Sequence, residues 1–123
     1  AYACASRYAG CYVVTLSVDQ VNFRQPIHVG ALVTFLASVN YAGRSSMEIG
    51  IKVITEDIRE KSVRHTNSCF FTMVAVDDQG KPTAVPQLPL GSADEKRRFL
   101  QAQQRRQIRQ ELEQRYQALQ LEP

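Results

Sequence analysis

The chain has 123 residues, a net charge of +3, 44% hydrophobic residues and 22% charged residues. That length fits one domain, large enough to bury roughly two thirds of its unfolded surface. No apolar run approaches the roughly 20 residues needed to span a bilayer, so no membrane-spanning helix is expected among these residues. The charge is also uneven. Lys96, Arg97, Arg98, Arg105, Arg106, Arg109 and Arg115 crowd the last thirty residues, and without them eight basic residues face twelve acidic ones. A whole-chain case for nucleic-acid binding therefore fails. Nothing near the start reads as a signal peptide.

Residues 1–9 are small and helix-compatible and stop at Gly10, a residue suited to a left-handed helix end. The sequence reads as beginning inside a helix. Residues 11–18 are β-branched and aromatic and predict a largely buried strand. Residues 19–23 continue it until Pro26 forces a bend. Residues 31–41 predict a long strand, which Gly43 breaks. Met47, Ile49, Ile51 and Val53 then alternate with Glu48, Gly50, Lys52 and Ile54, so one face of that strand is apolar. Residues 56–61 predict a charged turn and 62–76 another long strand. Residues 77–82 form a loop, and Pro86 and Pro89 keep the next stretch extended.

Ser92 and Glu95 fit a capping box. It opens a helix that runs towards Leu119, with Ile108, Leu112, Tyr116 and Leu119 as a narrow apolar stripe. Such a helix reads as solvated and lying across the domain or a neighbouring subunit. Its basic residues are spread around it and interrupted by Glu111 and Glu113, which argues against nucleic-acid binding. Helix, four strands with short turns and helix together predict an α+β domain.

Cys4, Cys11 and Cys69 are odd in number and show no CxxC spacing. His28 and His65 stand far from any cysteine pair, so no metal site is expected. Reduced, buried thiols in a cytoplasmic protein are the expectation. The strongest chemical candidate is Gly43-Arg44-Ser45-Ser46. At one sheet end it would group a guanidinium, two hydroxyls and exposed backbone N–H groups, donors that suit a phosphate-bearing ligand. Taken alone, these residues better fit a surface β-turn with serine as turn former. Asp19 has no histidine or second carboxylate nearby in sequence and reads as structural.

Several segments, in order, resemble the hotdog-fold acyl-CoA thioesterases, in particular their cytosolic acyl-CoA hydrolase branch. They are Ser17-Val18-Asp19-Gln20-Val21-Asn22-Phe23, residues 26–30, Gly43-Arg44-Ser45-Ser46-Met47-Glu48, residues 71–88 and Glu95-Lys96-Arg97-Arg98-Phe99. The resemblance implies a hotdog fold, an antiparallel sheet wrapped around a central helix, over residues 1–91. Residues 92–123 would be a C-terminal helical extension. It also implies a homodimer whose sheets join, with active sites at the interface, assembling as a trimer of dimers. The substrate would be acyl-CoA, with coenzyme A as part of substrate and product and no cofactor required. No nucleic acid or membrane would be a partner.

In this family a carboxylate on the central helix serves as base or nucleophile. By position it would lie just before Ala1, so the main catalytic residue is not among these 123. The resemblance gives Arg44, with Gly43, Ser45 and Ser46, the coenzyme A phosphate. Asn22 and Phe23 would border the interface groove, and Asn22 and Thr66 would be assistants near the thioester. Asn22 equally fits a strand-end residue satisfying local backbone. His65 reads as a strand histidine. Phe70, Phe71 and Met73 line either the core or an acyl pocket. The alternative function is a non-catalytic acyl-CoA sensor on the same fold. A dehydratase would need a helix His–Asp pair, and neither His28 nor His65 is so placed.

Overall fold

The structure, a computed structural model, describes residues 1–120. It divides into two compact units, Ala1–Leu88 and Pro89–Pro123. Residues 121–123, the end of the expected extension, lie outside the described part. Among the described residues no helix is long and apolar enough to cross a membrane.

The first unit contains helix α1 (Tyr2–Ala9) and strands β1 (Tyr12–Val18), β2 (Leu32–Ala42), β3 (Ser46–Asp57) and β4 (Ser62–Val76). The strands form one antiparallel sheet in the order β1-β4-β3-β2. An eight-residue helix is not stable alone. Packing holds it: Ala5 is fully buried in a cluster with Val13, Met47, Ile49, Met73 and Ala75. Gly10 ends it in the left-handed region (φ 71°), with its N–H on the Ser6 carbonyl at 2.9 Å. The core stripe follows strand alternation. Met47, Ile49 and Ile51 of β3 stand opposite Met73, Phe71 and Cys69 of β4. Met47, Ile49 and Met73 are at most 1% exposed. Each stabilises the fold by about 1.5–3 kcal/mol relative to exposure.

The outer strands differ from expectation. Only Val13 of β1 is buried, while Tyr12 and Leu16 are each 68% exposed. β1 has one sheet neighbour and only one of its faces meets α1, so its alternate residues stay open. Residues 19–23 do not continue it. The Asp19 N–H reaches the Phe70 carbonyl at 3.0 Å, and the chain then runs irregularly to residue 31. β2, the other outer strand, leaves Leu32, Phe35 and Leu36 49–66% exposed. The charged turn is shorter than predicted, because β3 continues to Asp57. There the Asp57 carboxylate accepts the N–H groups of Arg59 and Glu60, and Lys61 takes φ 54°. The three thiols are free but half-buried, not buried. Burial pushes the Cys4 and Cys69 thiols up.

The second unit is dominated by helix α2 (Ala93–Gln120). The capping box forms as read: Ser92 Oγ accepts the Glu95 N–H at 3.1 Å and donates to the Glu95 carboxylate at 3.0 Å. Asp94 and Glu95 complement the helix dipole in the first turn. Ile108, Leu112, Tyr116 and Leu119 are 48–73% exposed.

Candidate functional site

Gly43-Arg44-Ser45 connects β2 to β3, with Ala42 paired to Met47. Three backbone hydrogen bonds fix this tip: Gly43 N–H to the Ser46 carbonyl (2.8 Å), Ala75 N–H to the Ser45 carbonyl (2.8 Å) and Val85 N–H to the Arg44 carbonyl (2.8 Å). The last bond uses the extended stretch that Pro86 and Pro89 were expected to hold straight. It lies beside the tip because Thr83 N–H also reaches the Ala75 carbonyl at 2.9 Å. The Tyr8 hydroxyl donates to the Pro86 carbonyl at 2.6 Å, which ties the same stretch to α1.

The Gly43 N–H is not an exposed donor as expected: it is committed to the hairpin's own ladder. The side chains are the available donors. Arg44 is exposed, and among the described residues its guanidinium meets no carboxylate. Ser45 and Ser46 are half-buried beside it. A rigid tip carrying an open guanidinium and two hydroxyls is suited to an anionic oxygen-rich group.

Sequence reading missed what lies behind the tip. Asn40 is a β-bulge: Val39 pairs with Ile49 and Tyr41 with Glu48, so Asn40 is the extra residue. Its side chain is 5% exposed. The amide Nδ2 donates to Glu48 Oε1 at 3.2 Å, and Oδ1 accepts from Ser38 Oγ at 2.9 Å. Glu48 is 1% exposed and Gly50 is buried as well. The sequence pattern marked only the opposite face of β3 as apolar, yet both faces are covered from Met47 to Ile51. A Cβ on Gly50 would run into the Asn40 amide, 3.2 Å from its Cγ and closer still to Nδ2. The available signal was a lone glycine inside a strand pattern, which marks a close approach.

The remaining candidates are not gathered at the tip. Asn22 and the 68%-exposed Phe23 lie on the irregular stretch after β1, not at a strand end. That stretch starts level with Phe70 and ends level with Glu56, away from the hairpin. Thr66 is 1% exposed, a bulge residue whose hydroxyl shares a 2.8 Å hydrogen bond with Thr55. Thr55 stands nine residues along β3 from Ser46, roughly 30 Å at about 3.3 Å per residue. Asn67 beside it is 7% exposed, with Oδ1 unpartnered. A polar cleft lined by His28, Thr55, Arg59 and Arg64 lies at this far end. His65 Nε2 meets the Asn67 carbonyl and Ser68 Oγ, on the strand as expected. Within one chain, the Arg44 and Thr66 groups therefore occupy opposite ends of the sheet. Among the described residues no group of three His, Cys, Asp or Glu could hold a metal ion.

Residues 1–62 match the family described as the thioesterase superfamily. The protein VdlD of Helicobacter pylori is 52% identical over 109 residues, covering 89% of this chain and 62% of that protein. The cytosolic acyl coenzyme A thioester hydrolase of Rattus norvegicus is 36% identical over 97 residues, covering 77% of this chain and 26% of its own length. The chain thus spans about three fifths of the Helicobacter relative and a quarter of the rat one. Among solved structures, an apo-hexameric acyl-CoA thioesterase superposes with a TM-score of 0.82 at 36% identity, covering 87% of this chain and 69% of that one. An acyl-CoA hydrolase from Staphylococcus aureus, in complex with butyryl coenzyme A, coenzyme A and coenzyme A disulfide, gives 0.79 at 36% identity, covering 94% and 73%.

Proposed function

The chain belongs to the thioesterase superfamily, and from that membership we propose that its protein hydrolyses acyl-CoA to a free fatty acid and coenzyme A. The observation that carries this reading is the likeness, over 94% of the chain, to a Staphylococcus aureus hydrolase described in complex with butyryl coenzyme A. Arg44, with Ser45 and Ser46, binds a phosphate of coenzyme A. Water attacks the thioester carbonyl, aligned by a carboxylate on the upstream continuation of α1. The oxyanion forms against backbone N–H groups, and the thiol of coenzyme A leaves. Asn22 and Thr66 assist, and no cofactor is needed. The rat relative's name supports a cytosolic setting.

A site built between subunits accounts for the separation of Arg44 and Thr66 along the sheet. Hexamers among the structural relatives support a homodimer joined edge to edge, assembling as a trimer of dimers. The open edge of β1 is suited to that junction. Liberation of the coenzyme A thiol by the full-length protein, followed with a thiol reagent across acyl chain lengths, tests the reading. Saturable release from at least one acyl-CoA is expected. Binding without release from any of them would instead support the acyl-CoA sensor.

A further inference from the structure

We propose that Asn40 and Glu48, seated against Gly50, are positioning residues that aim Arg44 at the nucleotide end of acyl-CoA. This inference rests on the reading of Arg44 given above. A strand's side chains alternate between faces, so one inserted residue reverses the facing of everything beyond it. Asn40 is that insertion, three residues before the turn begins at Gly43. Without it, Val39↔Ile49 would be followed by a partner for Asn40, and Tyr41, Ala42 and the tip would present the opposite face. The bulge therefore sets the direction in which Arg44 leaves the sheet.

What holds the bulge is polar and buried. Asn40 is gripped on both ends of its amide, by Ser38 behind it on β2 and by Glu48 across on β3. Its paired atoms sit in a region where an unmet donor is costly, so the amide has one comfortable seat. That seat exists because position 50 has no side chain. Glu48 in turn lies two residues after Ser46, so the amide–carboxyl bond closes the hairpin just inside its tip. Ser38, Asn40, Glu48 and Gly50 hold one another behind the turn. They act through Arg44.

The test uses the full-length protein and two substrates, acyl-CoA and the matching acyl-N-acetylcysteamine thioester, which lacks the nucleotide and its phosphates. Arg44→Ala, Asn40→Ala, Gly50→Ala and the double variant Asn40→Ala/Arg44→Ala are compared by kcat and KM. Asn40→Ala is expected to raise KM for acyl-CoA about tenfold, with kcat changed far less and the truncated thioester within about twofold of wild type. In the Arg44→Ala background it should add nothing. Gly50→Ala keeps every polar group and displaces the amide only, so it should give the same substrate-selective rise if Asn40→Ala fails to fold. Equal penalties on both substrates, or KM effects of Asn40→Ala and Arg44→Ala that multiply, would overturn the inference while leaving Arg44 as a ligand. An unchanged KM in Arg44→Ala alone would remove the phosphate reading, and this inference with it.

Discussion

The Asn40 carboxamide occupies the space where Gly50 would carry a side chain, and from there it donates to Glu48 at 3.2 Å. Gly50 is in the strand for this close approach, because it is not among the glycines at positive φ. Gly50→Ala is therefore predicted to destabilise the fold. The amide can yield only by giving up its bond to Glu48, a loss of roughly 1–3 kcal/mol for a buried group. The usual gain from replacing a strand glycine, about 0.5–1 kcal/mol, offsets part of it. Urea unfolding should show a lower midpoint at an unchanged slope. Equal or greater stability would mean that the amide has a second seat.

Tyr8 predicts a pH dependence. Its hydroxyl donates to Pro86 at 2.6 Å, and burial raises the phenol above its ordinary 10.0. The folded state thus holds this proton more tightly than the unfolded chain does. The associated stability is present in full below pH 10 and is lost as pH rises through the higher folded value. Tyr8→Phe should lose about 1 kcal/mol near neutrality, where the hydrogen bond is intact. Above about pH 10 its stability should fall less steeply than that of wild type. Cys4 and Cys69, raised in the same direction, leave a common background slope in both proteins. Parallel curves would exclude Tyr8 as a contributor.

The open edge of β1 predicts an effect on assembly. Tyr12 and Leu16 are each 68% exposed on a strand with a single neighbour. Replacing both with lysine places charge on that edge, which opposes strand pairing between copies. Sedimentation should show smaller particles with secondary structure retained. An unchanged mass would move the dimer junction elsewhere.

The elements were readable because local signals carry them. Gly10 ends α1, Ser92 and Glu95 open α2, and the four strands fall between turn-forming residues. What stayed hidden depends on neighbours. Residues 11–18 look equally apolar in a central or an outer strand, so the exposure of Tyr12 and Leu16 follows from sheet order alone. Glu48 and Gly50 alternate with an apolar stripe, which does not show that their own side is covered too. The bulge at Asn40 is a matter of register, which no single strand encodes. At the candidate site, Gly43-Arg44-Ser45-Ser46 was visible as a set of donors, but the engagement of the Gly43 N–H appears only once the hairpin closes. The distance between Thr66 and Arg44 is likewise a product of strand pairing.

The central claim is that the guanidinium at the β2–β3 tip binds the phosphate end of acyl-CoA. The most direct test is the KM of Arg44→Ala for acyl-CoA set against its KM for the acyl-N-acetylcysteamine thioester. Loss of one charge-assisted hydrogen bond, about 1.5–3 kcal/mol, predicts a rise of roughly tenfold or more for acyl-CoA only, with folding intact. An unchanged KM for acyl-CoA would contradict the account.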